Sequence, residues 1–385
     1  MLTAIGPFSI DMYLPGFPDI AKDLHTTVAK IALSLSSFFI GISIGQLFYG
    51  PLLDRFGRKK PLYVGIIIYV IASIGCTFSL SADALIGFRF FQALGSCSGL
   101  VASRAMIRDL FPVSENAKVF SLLMLVVGVS PIIAPTLGGY LTTEYSWRYV
   151  FIVLTIMAII ILVALHYYLP ESRKPDASVS LKPSNIVKGY LEVAKEPQFY
   201  IFALSGAIAA AGLYSYIAGS PQVFIQIYHV SKKQYGWIFA SIALGLIICS
   251  QLNSRLLKKY TSQQIILKAL FIQSATGFVL VLGIVQHWYN VYETIGFCLI
   301  FLSCQGFIFP NTTALSLAPF SNNAGSASAL LGSIQLGMGA LATGILSFLS
   351  NDTAVPMAAV MAACSLLSLS ILIVGRNRIK QTETL

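Results

Sequence analysis

The chain has 385 residues, of which 56% are apolar and only 10% are charged. A soluble domain usually carries about 25% charged residues, so this composition excludes an ordinary soluble globule. The apolar runs are repeatedly close to the ~20 residues that an α-helix needs to cross a bilayer, which predicts a polytopic membrane protein. The net charge of +10 is spread over short loops rather than gathered on one domain. We therefore expect a lipid bilayer, and no nucleic acid, as the partner of this charge.

Apolar runs between charged or Pro/Gly/Asn-rich breaks predict an all-α fold with twelve transmembrane helices. The long connection 170–197 divides them into two six-helix halves, residues 1–169 and 198–385. Within this connection, residues 184–194 have the spacing of an amphipathic helix, and an ordinary solvated linker is the open alternative. The predicted spans are 2–22, 28–52, 61–80, 83–107, 118–142, 147–169, 198–228, 233–256, 262–285, 289–316, 324–349 and 354–375.

The basic residues predict the orientation of the chain. If the first helix runs outward, 18 of the 25 Lys and Arg residues fall on the inner side and 5 on the outer side. Cytoplasmic loops carry such an excess of basic residues. We therefore expect a multi-pass protein of the bacterial inner membrane with a cytoplasmic C-terminus.

The first predicted span carries one carboxylate, Asp11, near its middle, and Pro15 follows four residues later. An Asp near the bilayer centre costs about 2.5–3.5 kcal/mol, so it needs a partner, a proton or a water-filled cavity. Pro15 cannot donate the helical hydrogen bond to the carbonyl of Asp11, which predicts a kink beside the charge. We interpret Asp11 as the proton-binding and cargo-sensing site of a transporter. A snorkelling or cavity-facing charge is the alternative.

The second predicted span ends in the run Gly-Pro-Leu-Leu-Asp-Arg-Phe-Gly-Arg-Lys-Lys, residues 50–60. Its glycines permit a tight turn, and Asp54 can meet the positive N-terminal end of a facing helix. The run resembles the signature of the second loop of the major facilitator superfamily, and the resemblance extends over all twelve helices. It implies two pseudo-symmetric bundles that rock about a central cavity. It also implies an inner gate in which Asp54 meets the eleventh helix near residues 321–323 and Arg58 pairs with Asp109. The implied gate residues are Gly50, Asp54, Arg55, Gly57, Arg58 and Asp109.

Arg89 and Gln92 lie within the fourth predicted span. They resemble the R-x-x-Q element of the same superfamily, which implies a role in titrating the proton site. Asp11 is the one carboxylate at comparable depth, so an Arg89–Asp11 pair is one expectation. The other is that Arg89 holds backbone carbonyls of the kinked first helix.

The fifth predicted span carries two prolines four residues apart, which predict a bend. The small residues around them predict the close approach of another helix. The run resembles an antiporter signature of the superfamily, with Ser130 and Ala134 in place of two glycines. The residues of this predicted bend are Gly128, Pro131, Pro135, Gly138 and Gly139.

With Gly6, Pro7 and residues 11–15, these signatures make the chain most similar to the Bcr/CflA group of drug–proton antiporters. The resemblance implies export of small, largely apolar drugs such as bicyclomycin and chloramphenicol in exchange for protons. It also implies a monomer that needs no cofactor beyond the proton gradient. Candidate cavity residues, from the helices expected to surround the centre, are Met12, Tyr13, Phe38, Phe39, Tyr214, Tyr216, Gln222, Phe309 and Asn311.

Two other classes of function are alternatives to a drug–proton antiporter. An exporter of the same fold that carries a metabolite, such as an amino acid or a sugar, remains open. A channel would need rings of polar pore-lining residues, and a membrane enzyme would need clustered His, Asp or Glu at membrane depth. The sequence shows neither, and it has no nucleotide-binding fingerprint or metal-ligand spacing. We therefore expect no enzymatic activity and no metal.

Overall fold

The computed structural model describes residues 1–111, 113–179, 181–320 and 323–382. These ranges are helical throughout apart from turns and connections, and eleven of their helices are long and apolar enough to cross a membrane. The predicted all-α membrane fold is thus confirmed. The gate candidates Ser321 and Asn322 lie outside the described part. So do the side chains of five basic residues counted above on the inner side: Arg108, Lys118, Arg376, Arg378 and Lys380.

Residues Met1–Lys188 form one compact unit. A short 3-10 turn, Leu14–Gly16, separates its first two helices. The helices of this unit are α1 (Ile5–Asp11), α2 (Phe17–Asp23), α3 (Val28–Phe56), α4 (Lys59–Thr77), α5 (Ala82–Leu110), α6 (Val113–Glu144) and α7 (Arg148–Tyr168).

The first predicted span is broken rather than merely kinked. Asp11 is the last residue of α1, and the chain continues through the 3-10 turn into α2. Pro15 and Pro18 lie at the starts of these two segments and cannot donate helical hydrogen bonds. Placing Asp11 in the middle of one continuous helix is therefore corrected: it ends a helix of seven residues.

Small side chains let the helices of the first unit pack closely. A methyl group on Gly41 of α3 would lie only 2.6 Å from the Cβ of Ala93 on α5.

The N-termini of the same two helices are capped by Thr27 and Ser81, whose hydroxyl oxygens accept from the amides of Lys30 and Ala84. These caps explain why the helices begin where they do.

Residues Gly189–Leu385 form the second unit. A π-helical segment, Pro221–Ile227, continues its first transmembrane helix, because Pro221 cannot donate a helical hydrogen bond. Capping boxes of Ser231 with Gln234 and of Thr261 with Gln264 start the next two helices. The helices are α9 (Pro197–Ser220), α10 (Lys232–Leu256), α11 (Ser262–Val285), α12 (Val291–Ser303), α13 (Gln305–Leu317), α14 (Ala324–Leu349) and α15 (Val355–Thr382).

The tenth predicted span, 289–316, differs from expectation because it is divided into α12 and α13 at Cys304. The amide of Phe307 bonds to the carbonyl of Cys304, which is a tighter 3-10 spacing at the junction. Gly306 and Pro310 follow the junction closely, and Pro310 cannot donate the helical hydrogen bond to the carbonyl of Gly306.

The connection between the halves contains a helix, α8 (Pro183–Ala194). Its Val193 is buried in a cluster with Phe199 of α9 and Leu331 of α14. Val187 and Leu191 are exposed. The end of α8 is therefore anchored to the second unit by an apolar contact.

Candidate functional site

Asp11 lies at the C-terminal end of α1, and only 4% of its surface is exposed. Among the side chains that the structure describes, Asp11 forms no ion pair. A buried carboxylate without a counter-charge is costly, and binding a proton removes that cost. This chemistry suits a site that exchanges one proton.

Arg89 is fully buried on α5, close to the same break. Its Nη2 donates to the carbonyl of Ser9 at 2.8 Å, and its Nη1 donates to Oε1 of Gln92 at 2.5 Å. Ser9 belongs to the last turn of α1, whose carbonyls have no partner within the helix. Arg89 thus caps α1 with a positive charge, which is favourable at a helix C-terminus. Of the two expectations for Arg89, its contacts match the one in which it holds a backbone carbonyl.

Aromatic rings supply the rest of the environment of Arg89. Its Cζ lies 4.1 Å from the ring centre of Phe38 and 4.3 Å from that of Tyr13. Cation–π contacts of this kind stabilise a desolvated guanidinium by about 2 kcal/mol. Phe38 and Tyr13, selected from the sequence as cavity residues, therefore hold the arginine in this structure.

A chain of polar side chains extends from Arg89 through the first unit. Nε2 of Gln92 donates to the hydroxyl of Ser73 at 2.7 Å, and the hydroxyl of Ser73 donates to the carbonyl of Tyr69. The hydroxyls of Tyr69 and Ser9 are 2.6 Å apart, which returns the network to α1. The sequence analysis missed Ser9, Tyr69 and Ser73. Their only signal was polarity inside apolar spans.

The residues expected at the inner gate are partly brought together. Arg58 donates through Nε to Oδ2 of Asp109 at 2.7 Å and through Nη1 to Oδ1 of Asp54 at 2.8 Å. The side chain of Arg58 is 3% exposed, so both ion pairs are shielded from water on its side. We call Asp54, Arg58 and Asp109 the gate cluster.

The charges of the gate cluster reinforce one another. Burial opposes ionisation of Asp109, but its hydrogen bonds from Arg58 and Ser172 outweigh burial and lower its pKa. Burial also opposes the charge of Arg58, and the hydrogen bonds to Asp109 and Asp54 more than compensate, so the pKa of Arg58 is raised. Asp109 and Arg58 are therefore ionised at neutral pH.

Gly50, Gly57 and Arg55 occupy other positions around the gate cluster. Gly57 ends α3 with a φ of 81°, a left-handed conformation that favours glycine. Gly50 lies inside α3 with open space at the position of a Cβ. Nη1 of Arg55 donates to the carbonyls of Ala177 and Val179 rather than to the gate carboxylates.

The predicted bend lies in α6, which continues as a helix through Pro131 and Pro135. A methyl group on Gly138 would overlap the carbonyl oxygen of Met12, so α6 and the break in the first span touch through backbone. Gly128 and Gly139 belong to the same helix. The small residues were expected to admit a neighbouring helix, and at Gly138 the neighbour is the backbone of Met12, just beyond the end of α1.

The remaining cavity candidates fall in three environments. Met12, Phe39, Tyr216 and Asn311 are buried, and the Nδ2 of Asn311 donates to Oδ1 of Asn253. Phe309 is 43% exposed. The ring of Tyr214 packs against Gly339, and the amide of Gln222 bonds to the carbonyl of Asn351 and the hydroxyl of Ser350. Gln222 is thus engaged at the connection between α14 and α15.

Residues 1–344 match the family described as the Major Facilitator Superfamily. The chain belongs to this superfamily. The predicted resemblance is thereby confirmed, and the chain is a member of a transporter family rather than of an enzyme family.

Known relatives within the superfamily cover nearly the whole chain. A bicyclomycin resistance protein homolog of Haemophilus influenzae is 30% identical over 374 residues, which is 96% of this chain and 92% of the relative. A chloramphenicol resistance protein of Pseudomonas aeruginosa is 29% identical over 374 residues, covering 93% of this chain and 84% of the relative.

The crystal structure of a D-xylose–proton symporter superposes with a TM-score of 0.75 at 13% identity. It covers 96% of this chain and 95% of that chain. At this identity the likeness shows the fold alone. It places the helices described above within the architecture of the Major Facilitator Superfamily.

Proposed function

We propose that this member of the superfamily exports small, largely apolar drugs across the bacterial inner membrane in exchange for protons. The observation that carries the proposal is Asp11, a buried carboxyl group at a break in the first span, with no ionic partner among the described side chains. The protein works as a monomer by alternating access, with its C-terminus in the cytoplasm.

The names of the relatives support the choice of cargo. Relatives that match more than nine tenths of the chain are named for resistance to bicyclomycin and to chloramphenicol. The two drugs differ in structure, so a site that accepts both needs adaptable apolar contacts. Apolar and aromatic side chains such as Met12 and Phe39 could provide them.

Asp11 couples cargo to protons in this scheme. A proton arriving from outside neutralises the carboxyl group and favours release of cargo, and loss of the proton inside restores the site. One proton supplies about 2.3 kcal/mol per 100 mV of membrane potential and about 1.36 kcal/mol per unit of pH. A tenfold drug gradient costs only about 1.4 kcal/mol, so one proton per drug suffices.

Drug efflux from proteoliposomes under an imposed pH gradient tests the proposal. We expect wild-type protein to move labelled chloramphenicol against its gradient and a protonophore to abolish this movement. Asp11→Asn keeps the size of the side chain but cannot exchange a proton, so gradient-driven efflux should fall at least about tenfold. The matched control is Asp352→Asn, because Asp352 is an exposed carboxylate in a loop.

Two results would count against the proposal. Efflux by Asp11→Asn at the wild-type rate would remove Asp11 from the coupling mechanism. Gradient-driven movement of an amino acid or a sugar, with no movement of either drug, would favour the metabolite exporter.

A further inference from the structure

The first ten residues of the connection, 170–179, lie against the turn between α3 and α4, and we call them the strap. Ser172 donates to Oδ2 of Asp109 at 3.1 Å, and Nη1 of Arg173 lies 3.4 Å from Oδ1 of Asp54. The strap thus contacts both carboxylates of the gate cluster. The sequence analysis assigned no contacts to this segment.

Glu171 makes the most specific contacts of the strap. Its Oε1 accepts the backbone amide of Arg58 at 2.6 Å, and its Oε2 accepts the amide of Lys59 at 3.1 Å. Lys59 is the first residue of α4, so these amides are among those that the helix leaves without an internal partner. Glu171 therefore caps α4 with a negative charge from a distant part of the chain.

The turn at Gly57 has room for this cap because it has no side chain. A Cβ at Gly57 would lie 3.0 Å from Oε2 of Glu171 and 3.3 Å from the carbonyl oxygen of Arg173. The positive φ of Gly57 turns the chain so that the next two amides face the carboxylate. The sequence of the turn and the position of the strap are thus adapted to each other.

A second anchor holds the far end of the strap. Arg55 donates to the carbonyls of Ala177 and Val179 at 2.5 and 2.7 Å, and the amide of Asp176 donates to the carbonyl of Asp54 at 3.3 Å. The strap is therefore fastened on both sides of the Gly57 turn. The superfamily signature implied that Arg55 belongs to the gate, and in the structure Arg55 holds the strap by these two hydrogen bonds.

We propose that Glu171 is a positioning residue of the inner gate, acting through the backbone of Arg58. By holding the amides of Arg58 and Lys59, it fixes the direction in which the side chain of Arg58 leaves the turn. Arg58 then reaches Asp54 and Asp109 together. The consequence for transport rests on the function proposed above, whereas the positioning itself does not.

Hydrogen–deuterium exchange tests the positioning without any cargo. The full-length protein is compared with Glu171→Gln and with Glu196→Gln, and exchange is followed in peptides that cover residues 54–63. Glu196 is the matched control, because it is a glutamate of the same connection, immediately before α9, whose side chain caps no amide. We expect about fivefold faster exchange in this segment for Glu171→Gln, with the control unchanged. Unchanged exchange in Glu171→Gln, or an equal rise in both variants, would overturn the proposal.

Transport kinetics test the consequence for the gate. We expect Glu171→Gln to lower the maximal rate of drug efflux about tenfold while KM changes less than about twofold, because the drug site is untouched. Glu171→Asp, which keeps the charge, should recover part of the rate. An unchanged rate in Glu171→Gln would contradict a role at the gate. If wild-type protein moves no drug, the proposed function fails, and the exchange experiment still decides whether Glu171 positions Arg58.

Discussion

At the scale of single residues, the unusual feature is a fully buried arginine that contacts no carboxylate among the described side chains. Arg89 exchanges its hydration for two hydrogen bonds and the faces of two aromatic rings. A planar guanidinium donates hydrogen bonds from its edge in a fixed fork while its face stacks on aromatic rings, a geometry that a compact ammonium group does not reproduce. Its role is therefore tied to its shape as well as to its charge.

Arg89→Lys tests this dependence on shape. The lysine keeps the charge but loses the fork that reaches both Ser9 and Gln92, so we expect a loss of about 1–3 kcal/mol in stability. Drug efflux should fall about tenfold, because the end of α1 that carries Asp11 is no longer held in place. Thermal unfolding and proteoliposome efflux measure the two effects. The control is Arg104→Lys, the same change at an exposed position of the same helix, and an equal effect there would contradict the assignment.

The sequence predicted which residues carry charge inside the membrane but left the partner of Arg89 open. Membrane depth can be estimated from sequence, so Asp11 and Arg89 were recognised as a candidate pair. Whether Arg89 pairs with a carboxylate or donates to a backbone carbonyl depends on how the first span breaks. That break depends on the combined effect of Pro15, Pro18 and the packing of α6, which no local pattern describes.

At the scale of elements, α6 meets the break that follows α1, where Gly138 lies directly against the backbone of Met12. This contact fixes the position of the broken first span against a continuous helix. The apolar rings of Tyr13, Phe17 and Phe151 fill the space beside it.

Gly138→Ala should disrupt this contact. Because the added methyl group meets a carbonyl oxygen of the main chain, the helices must separate, at a cost of about 1–3 kcal/mol or more. We expect a lower melting temperature and a lower yield of folded protein. Gly87→Ala on α5 is the control, since open space surrounds its Cβ position and alanine favours a helix. A melting temperature of Gly138→Ala equal to that of wild type would show that the helices are farther apart than described.

The gate cluster should make stability depend on acid. The folded-state pKa of Asp109 lies below its ordinary value of about 3.9 because Arg58 and Ser172 donate to it. A carboxyl group whose pKa is lowered by folding stabilises the folded protein at pH values above its pKa in the unfolded state. This stabilisation is lost as the pH falls through its pKa in the folded state. The melting temperature of the wild type should therefore fall as the pH is lowered below about 5.

Asp109→Asn should melt at a lower temperature than wild type at pH 7 and should show a shallower fall in acid. Asp83→Asn is the control, because Asp83 is 77% exposed in its pair with Lys30 and an exposed pair contributes little. Parallel acid curves for wild type and Asp109→Asn would contradict the assigned contribution of Asp109.

The positions of the helices were largely predictable from the sequence. The breaks within the predicted spans were less predictable. Apolar length and capping residues such as Ser231 and Thr261 define where spans begin, because they act locally. The position of the strap depends on contacts between segments that are distant in the chain. Glu171 shows this well, since its role as a cap exists only once Arg58 and Lys59 lie beside it.

At the scale of the whole molecule, the distribution of basic residues predicts which ends of the helices face the cytoplasm. Labelling of introduced cysteines tests this orientation. A membrane-impermeant maleimide should label Asp352→Cys from the outer side of the inner membrane and Lys258→Cys only after the membrane is opened. Background should be low, because five of the six native cysteines are buried and Cys249 is half-buried. The reverse pattern would invert the topology and the direction of transport proposed here.

The hydrogen bond from Arg89 to the carbonyl of Ser9 has an evolutionary consequence. A helix of only seven residues cannot by itself determine where its terminal acid lies, so contacts with neighbouring helices, including the one from Arg89 of α5, determine the location of Asp11. Substitutions along α5 that displace the guanidinium of Arg89 by a fraction of an ångström will also displace Asp11. Under the proposed mechanism, selection by antibiotics therefore has a route to change proton exchange while leaving Asp11 itself and the drug-contacting residues unaltered.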